Sequence, residues 1–205
     1  AMNRHNDPEV IYNTNISLAK QLISACESTI STPHILFSSS TQEERDNLYG
    51  KSKKEGRKLF EKWADKNNAK FTGLIIPNVF GPFGHPYYNS VVATFCHQLT
   101  HNETPKIEVD GEIKLIYVGE LVQTIIEQIT NHLPRRPACL SKAADRQAGQ
   151  SQITNHQVPH TSEIKVSTLL KLIKDYKNNY FGKGEIPDLK NSFRKNLWNT
   201  FLCYI

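Results

Sequence analysis

Apolar side chains recur along the first part of the chain at helical spacing. Residues 15–26 place Ile16, Leu22 and Ile23 on roughly one helical face. Residues 51–66 repeat this pattern with their own apolar stripe. Both segments are therefore predicted to be helices.

Short apolar runs without this spacing alternate with the predicted helices. The run ILF follows Pro33 and leads into three serines, and FTGLII covers 71–76, where Pro77 stops it. Helix, strand, helix and strand thus follow one another with short connections. This order predicts an α/β fold with a parallel sheet and flanking helices.

The alternation continues less regularly beyond residue 89. The pattern predicts a helix over 90–99, a strand over 113–118 and a helix over 119–133. Residues 134–161 contain few large apolar side chains, which predicts a partly disordered surface segment. An alternative interpretation places a short strand there, at the edge of the sheet.

A last amphipathic helix is predicted over 163–181. Ser167 or Thr168 is available as its N-cap, because a hydroxyl oxygen can accept from the first free amides of a helix. The pattern therefore divides the chain into three parts, namely 1–133, 134–161 and 162–205.

Composition narrows the classes of function. The 205 residues, 38% of them hydrophobic, suffice for one good-sized domain. The net charge of +5 permits an anionic ligand, but no nucleic-acid-binding motif accompanies it, so we expect no nucleic-acid partner. No run approaches the roughly 20 apolar residues of a membrane span, and no signal peptide is visible. We therefore expect a cytoplasmic protein with no membrane partner.

Cysteine and histidine give no sign of a metal site. The four cysteines are far apart and form no CxxC, which indicates unpaired thiols in a reducing compartment. The HEXXH motif is absent, and His97 and His101 are more readily interpreted as surface residues than as zinc ligands. We expect no metal.

The stretch FSSSTQEERDNLYGKSK contains the residues best suited to proton transfer. Tyr49 and Lys53 are four positions apart, so they share one face of a helix. A nearby ammonium lowers the pKa of a phenol from its usual value of ~10, which makes tyrosine a usable general acid and base. The pair also occurs often by chance, but the serines at the preceding strand end favour the catalytic interpretation.

The Gly/Pro-rich loop PNVFGPFGHPYYN follows the second predicted strand. Open α/β sheets bind ligands at the carboxyl ends of their strands, so this loop is a candidate binding element. Asn89, at its end, is either a polar contact to a ligand or the N-cap of the next helix. The sequence leaves these two interpretations equal.

FSSS, YGKSK and PNVFGP, in this order, resemble the extended short-chain dehydrogenases/reductases of the NAD-dependent epimerase/dehydratase family. The resemblance covers about residues 1–133. It implies a partial Rossmann-like parallel sheet with flanking helices, the C-terminal half of such a domain. It also implies a nucleotide-sugar enzyme that uses NADPH or NADH.

Further details resemble one group within that family, the capsular and O-antigen sugar reductases with a C-terminal cupin domain. Only eight residues separate Ser40 from Tyr49, and PYYNSVVATFCHQL and the C-terminal tail complete the pattern. The resemblance implies NADPH-dependent reduction of a UDP-linked keto-deoxy-acetamido sugar on the route to UDP-N-acetyl-L-fucosamine. Alternatives are an epimerase or dehydratase of the same fold, or a non-catalytic truncated gene product.

The resemblance assigns a role to each residue of the catalytic motif. Tyr49 would protonate the substrate carbonyl, and Lys53 would lower the pKa of Tyr49 and hold the nicotinamide ribose. Ser40 would polarise the carbonyl, with Ser39 as the second choice and as a cofactor contact. Asn15 matches a helix asparagine near the nicotinamide.

The same resemblance assigns the outer contacts. Pro77 would touch the cofactor, whereas Asn78, Asn89 and Lys114 would touch the UDP-sugar. The sequence departs from the family at Ile76, where an arginine is usual, and at Gly119 and Glu120, where two aspartates are usual.

A glycine loop of the GxxGxxG type occurs nowhere in the sequence. In the family this loop holds the cofactor pyrophosphate at a helix N-terminus. We therefore expect an internal fragment without the glycine-loop half and without the cupin, one that binds NADPH weakly or not at all. The expected partner is a UDP-sugar, and a homodimer is left open.

Overall fold

The computed structural model describes residues 2–29, 32–130 and 152–205. Within these ranges helices and strands alternate, as the sequence predicts. In chain order the elements are α1 (Pro8–Glu27), β1 (Ile35–Ser40), a 3₁₀ turn (Thr41–Glu44), α2 (Leu48–Lys66), β2 (Phe71–Ile76), β3 (Asn78–Phe80), α3 (Val91–Thr100), β4 (Glu112–Tyr117), α4 (Val118–Thr130), β5 (Ile153–Gln157), β6 (Ser162–Lys165), α5 (Val166–Lys177), a π-helical turn (Asn178–Lys183) and α6 (Ser192–Leu202).

The chain forms two compact units, each made of two pieces. Unit 1 comprises Ala1–Ile76 and Glu127–Val158, and unit 2 comprises Pro77–Ile126 and Pro159–Ile205. The units interleave because the chain returns to unit 1 to add β5 to its sheet. The boundaries predicted at residues 133 and 134 lie outside the described residues, so the linear division into three parts stays a prediction.

Unit 1 is a parallel sheet covered by two helices. Its strands lie in the order β1-β2-β5, and both pairs are parallel. Helices α1 and α2 pack against each other and α2 packs on the sheet. The core between them contains Phe60, Trp63 and Phe71, which are nearly inaccessible to solvent. The hydrophobic contacts of these rings hold α2 over β1 and β2.

Unit 2 surrounds a second core. β3 pairs with β4 in parallel and β6 pairs with β4 antiparallel, and α3, α5 and α6 belong to the same unit. Leu115, Leu169, Leu197 and Phe201 are fully buried in its core. The parallel sheet of unit 1 and the mixed sheet of unit 2, each with helices in the same unit, confirm the predicted α/β class.

The start of α1 shows how the structure extends a predicted helix. Asp7 caps α1 by accepting from the amide of Glu9 at 2.9 Å, and Pro8 occupies the first turn. An N-cap aspartate followed by proline is a strong start signal, because proline has no amide to leave unpaired there. The helix therefore begins well before residue 15, where the apolar pattern becomes regular.

The structure corrects the sequence prediction at the last long helix. Residues 163–165, predicted as the start of that helix, instead belong to β6, and α5 begins at Val166. Neither Ser167 nor Thr168 is the N-cap, so that prediction is wrong. Lys165 occupies the cap position, and Asp110 accepts from the amide of Ser167 at 2.8 Å. Pairing with β4 overrides the helical pattern of the sequence.

Two further strands lie where the sequence predicts loops. β3 begins inside the predicted Gly/Pro loop, directly after Pro77. β5 pairs with β2 within the segment predicted as surface, which confirms the alternative of a short edge strand. The rest of that segment, from residue 134 to residue 151, lies outside the described residues, and so does its predicted disorder.

Candidate active site

The three serines form the carboxyl end of β1 rather than a turn. Ser38, Ser39 and Ser40 pair in register with Leu74, Ile75 and Ile76 of the parallel neighbour β2. Both strands therefore end at the same edge of the unit 1 sheet, which is the edge where α/β sheets bind ligands.

Ser39 and Ser40 have different partners. Ser39 is 4% exposed, and its hydroxyl donates to the carboxylate of Glu43. Ser40 is partly buried and caps the 3₁₀ turn, since its oxygen accepts from the amide of Gln42 at 3.2 Å. A hydroxyl that accepts a hydrogen bond keeps its own hydrogen to donate. Ser40 is thus the better-placed donor to a substrate oxygen.

The start of α2 positions Tyr49. Asn47 caps the helix by accepting from the amide of Gly50 at 2.7 Å, so Tyr49 lies in the first turn and is half-buried. Gly50 lets the 3₁₀ turn come close, because a Cβ there would lie 2.0 Å from the carbonyl oxygen of Gln42. The close approach joins the turn that follows Ser40 to the turn that contains Tyr49.

Lys53 lies one helical turn after Tyr49, with 5% of its surface exposed. Its Nζ donates to the carbonyl oxygen of Ser38 at 2.6 Å. The same nitrogen is 4.9 Å from the ring centroid of Phe37 and 5.9 Å from that of Tyr49. The structure thus places Lys53 between the end of β1 and the phenol, as the shared helical face predicts.

The pKa directions differ from the sequence expectation. Burial raises the pKa of Tyr49 above its ordinary value of 10.0. Burial lowers the pKa of Lys53, and the negative charge of Glu43 acts against that effect. The expected lowering of the Tyr49 pKa by Lys53 is not found, because the ammonium donates to the Ser38 carbonyl rather than to the phenol.

The side-chain amide of Asn15 is committed within unit 1. Its Nδ2 donates to the carbonyl of Met2 at 2.8 Å and to the Ser52 hydroxyl at 3.0 Å. Its Oδ1 accepts from the amide of Met2 at 2.6 Å. Asn15 therefore fastens the segment before α1 to α2, and its predicted cofactor contact stays a prediction.

The remaining candidates lie in unit 2. Asn78 and Lys114 are on adjacent strands, and the Asn78 amide donates to the Lys114 carbonyl at 3.2 Å. The ammonium of Lys114 lies 4.0 Å from the carboxylate of Glu163. Pro77 directly precedes β3. These positions leave the predicted substrate and cofactor contacts of Pro77, Asn78 and Lys114 untested.

Asn89 is not a helix cap. Ser90 caps α3, with its hydroxyl oxygen 3.3 Å from the amide of Ala93, so that interpretation of Asn89 is wrong. Asn89 is exposed in the turn before Ser90. Its assignment as a polar contact to a UDP-sugar remains a prediction.

Sequence reasoning missed two charged residues beneath the serines. Glu43 is 5% exposed, and Arg57 binds its carboxylate through Nη2 at 2.8 Å. The only sequence signal was an acidic residue inside the short spacer between Ser40 and Tyr49. Glu120, noted as a departure from the family, accepts from Thr161 at 2.6 Å and from the amide of Tyr117 at 3.2 Å. Glu120 thus connects the two pieces of the chain that make up unit 2.

Across 2–29, 32–130 and 152–205, no three His, Cys, Asp or Glu side chains are grouped so that they could hold a metal ion. Among the helices in those ranges, none is long and apolar enough to cross a membrane.

Residues 2–135 match the model of the NAD dependent epimerase/dehydratase family. The chain belongs to this family. Comparison with solved structures agrees on the fold: the UDP-glucose 4-epimerase of Thermotoga maritima superposes with a TM-score of 0.72 at 17% identity, over 97% of this chain and 71% of that one. The predicted Rossmann-like class is thereby confirmed.

Two relatives are more similar to this chain in sequence. A UDP-2-acetamido-2,6-beta-L-arabino-hexul-4-ose reductase of Pseudomonas aeruginosa is 28% identical over 207 aligned positions, covering 100% of this chain and 50% of the relative. The capsular polysaccharide assembling protein CapF of Staphylococcus aureus is also 28% identical, with a TM-score of 0.74, over 91% of this chain and 46% of that one. The chain thus spans about half the length of these relatives.

Proposed function

We propose that this chain carries the proton-transfer site of an NADPH-dependent reductase acting on a UDP-linked keto-deoxy-acetamido sugar. The observation that carries the proposal is the placement of Ser40, Tyr49 and Lys53 at one end of the unit 1 sheet. The similarity to a UDP-sugar reductase and to CapF supports the reaction class. The proposal extends to capsule or O-antigen precursors, to the UDP-N-acetyl-L-fucosamine route and to a cytoplasmic location.

Tyr49 is the proposed proton donor. Because burial raises its pKa, the phenol keeps its proton at neutral pH and can deliver it to a carbonyl oxygen that is being reduced. Ser40 would donate its hydroxyl hydrogen to the same oxygen and draw charge onto it. Both groups act on one substrate atom, which is the arrangement that a ketone reduction needs.

The residues around Lys53 fit the nicotinamide end of the cofactor. An ammonium has three donors, and the Ser38 carbonyl takes one of them, so ribose hydroxyls can take the others. When bound, the cofactor supplies the two electrons of the reduction. Asn15, Ser39 and Pro77 are proposed to line the same cofactor, although Asn15 and Ser39 already have partners within unit 1. We assign the pyrophosphate to no residue, because the sequence contains no GxxGxxG loop.

The UDP-sugar contacts are proposed in unit 2. Asn78, Asn89 and Lys114 carry the amides and the cation that a nucleotide diphosphate and a sugar would require. Asn89 is exposed and Lys114 is on the surface of β4, so both can meet a ligand. Replacement of Asn78 or Lys114 should raise KM for the sugar nucleotide more than it lowers kcat.

The test uses the product of the complete gene that encodes this sequence. We expect NADPH oxidation with a UDP-linked keto-deoxy-acetamido sugar, and a loss of about 10²- to 10⁴-fold in kcat/KM for Tyr49→Phe, the range typical of a lost general acid. Tyr180→Phe, in the π-helical turn, is the matched control and should retain activity. Full activity of Tyr49→Phe would contradict the catalytic assignment. Interconversion of UDP-sugar epimers without net NADPH consumption would assign the site to an epimerase instead.

A further inference from the structure

A network of hydrogen-bonded polar side chains begins at Ser39 of β1. The hydroxyl of Ser39 donates to the carboxylate of Glu43, in the 3₁₀ turn. Arg57, on α2, grips both oxygens of that carboxylate, with Nε 3.0 Å from Oε1 and Nη2 2.8 Å from Oε2. Two parallel N–H donors on one carboxylate fix its orientation as well as its position.

The network continues from Arg57 to β5, at the far edge of the unit 1 sheet. Nη1 of Arg57 donates to Glu61 Oε1 at 2.6 Å, and the amide of Asn155 on β5 donates to the same oxygen at 2.8 Å. Gly73 of β2 leaves the space, because a Cβ there would lie 2.4 Å from Asn155 Oδ1 and 2.8 Å from Arg57 Cδ. The network thus crosses the unit 1 sheet from Ser39 on β1 to Asn155 on β5. The carboxylate of Glu43 is held within it between Ser39 and Arg57.

Lys53 and Arg57 are four positions apart on α2, so they share one face of that helix. Arg57 binds the Glu43 carboxylate from this face, and Lys53 lies one turn earlier with 5% of its surface exposed. The groups that face Lys53 are Glu43 from the 3₁₀ turn, Tyr49 on its own helix, and the Ser38 carbonyl and Phe37 ring from β1. Glu43 is the anion of this set.

We propose that Glu43 is a positioning residue for the proton-transfer site. It withdraws the hydroxyl of Ser39 into the network and leaves that of Ser40 to meet the substrate. It also places a buried carboxylate beside the helical face that carries Lys53. The catalytic part of this role deepens the proposed function and rests on it. The electrostatic effect of Glu43 on Lys53 does not depend on that function and can be measured without cofactor or substrate.

The pKa values of both groups agree with the geometry. Burial raises the pKa of Glu43, but hydrogen bonds from Arg57 and Ser39 and the charge of Arg57 outweigh it, and the net direction is downward. Glu43 is therefore ionised at neutral pH despite its burial. Burial lowers the pKa of Lys53, and Glu43 limits that fall.

The decisive measurement is the titration of Lys53 in this chain, without cofactor or substrate. The ¹³Cε resonance of Lys53, assigned by its loss in Lys53→Arg, is followed against pH in the native sequence and in Glu43→Gln. We expect the midpoint to move to lower pH in Glu43→Gln, because the charge is lost while the acceptor for Ser39 is kept. Glu44→Gln is the matched control, since Glu44 lies in the same turn with its side chain 82% exposed.

A conservative variant separates charge from packing. Glu43→Asp keeps the charge but shortens the side chain, so the Lys53 midpoint should stay near that of the native sequence. If Glu43→Gln fails to fold because Arg57 is left without its anion, the double variant Glu43→Gln/Arg57→Gln removes the stranded cation. Its Lys53 midpoint is then compared with that of Arg57→Gln alone, so that the two proteins differ only in the charge at position 43. An unshifted Lys53 midpoint in a folded Gln variant would overturn the proposal.

The activity of the complete gene product gives the second readout. Glu43→Gln should lower kcat more than it raises KM and should displace the pH profile of kcat, whereas Glu44→Gln should change neither. If the gene product has no reductase activity, the proposed function is wrong. The Lys53 titration still tests the effect of Glu43 in that case, because it needs neither cofactor nor substrate. The two failures are therefore distinguishable.

Discussion

Gly50 limits the distance between the two halves of the proposed proton-transfer site. A Cβ at this position would lie 2.0 Å from the Gln42 carbonyl oxygen and 2.8 Å from its carbon. Both are backbone atoms, so no side-chain rotation relieves the overlap. The 3₁₀ turn and α2 would have to separate, and Ser40 and Tyr49 lie at the two sides of that contact.

Gly50→Ala should therefore lower the free energy of unfolding by about 1–3 kcal/mol, the usual cost of overpacking. Urea denaturation of the two proteins measures the difference. Gly111→Ala is the control, because a Cβ at Gly111 would meet nothing within 4 Å. If Gly50→Ala were as stable as Gly111→Ala, the close packing of the turn on α2 would be refuted.

At the scale of single residues, the sequence shows which side chains share an element but not which partners they choose. The spacing of Tyr49 and Lys53 predicts their common helical face, and the structure agrees. The choice between Ser39 and Ser40 depends on Glu43 and Arg57, and Arg57 is fixed by contacts across the sheet. Such choices follow from tertiary packing, which local pattern does not contain.

At the scale of elements, the first turn of α5 is capped from a distant loop. Asp110 Oδ1 accepts from the amide of Ser167 at 2.8 Å, and this hydrogen bond is the main cause of the lowered pKa of Asp110. A carboxylate near a helix N-terminus also interacts favourably with the helix dipole. This hydrogen bond thus connects the segment before β4 to α5, which packs in the unit 2 core.

Asp110→Ala should lower the free energy of unfolding, because the amide of Ser167 in the first turn of α5 loses its acceptor. The folded-state pKa of Asp110 is below its ordinary value of 3.8, so this contribution is present above that pH and is lost as the pH falls through the folded-state value. Chemical denaturation at pH 7 and at pH 3 measures both effects. Glu108→Ala serves as the control, and equal stabilities of the two variants at pH 7 would contradict the capping role.

Elements whose apolar pattern lies within their own residues are the more predictable ones. β2 has the bounds that its apolar run predicts, and α2 differs from the prediction only at its first turn. β6 was missed because its residues continue the helical pattern of α5, and only pairing with β4 makes them extended. The hydrogen bond from the Ser167 amide to Asp110 also has no local signal in the sequence, because the two residues are 57 positions apart.

At the scale of the whole molecule, the proposed catalytic residues Ser40, Tyr49 and Lys53 occur in a sequence that contains no GxxGxxG loop. The chain spans about half of the reductase and CapF sequences that it resembles. Backbone amides at a helix N-terminus supply much of the affinity for a pyrophosphate. These 205 residues alone should therefore bind NADPH weakly or not at all. Isothermal titration calorimetry of the purified chain measures this, and micromolar affinity would contradict it.

The interleaving of the two units has a consequence for synthesis on the ribosome. The edge of β2 is covered by β5, whose residues are made only after the first piece of unit 2 has left the ribosome. Until then β5 is missing from the sheet of the nascent chain, and the β2 edge that it covers can pair with a strand from another chain. The order of synthesis, as well as the final contacts, therefore affects how the sheet that carries Ser40 is assembled.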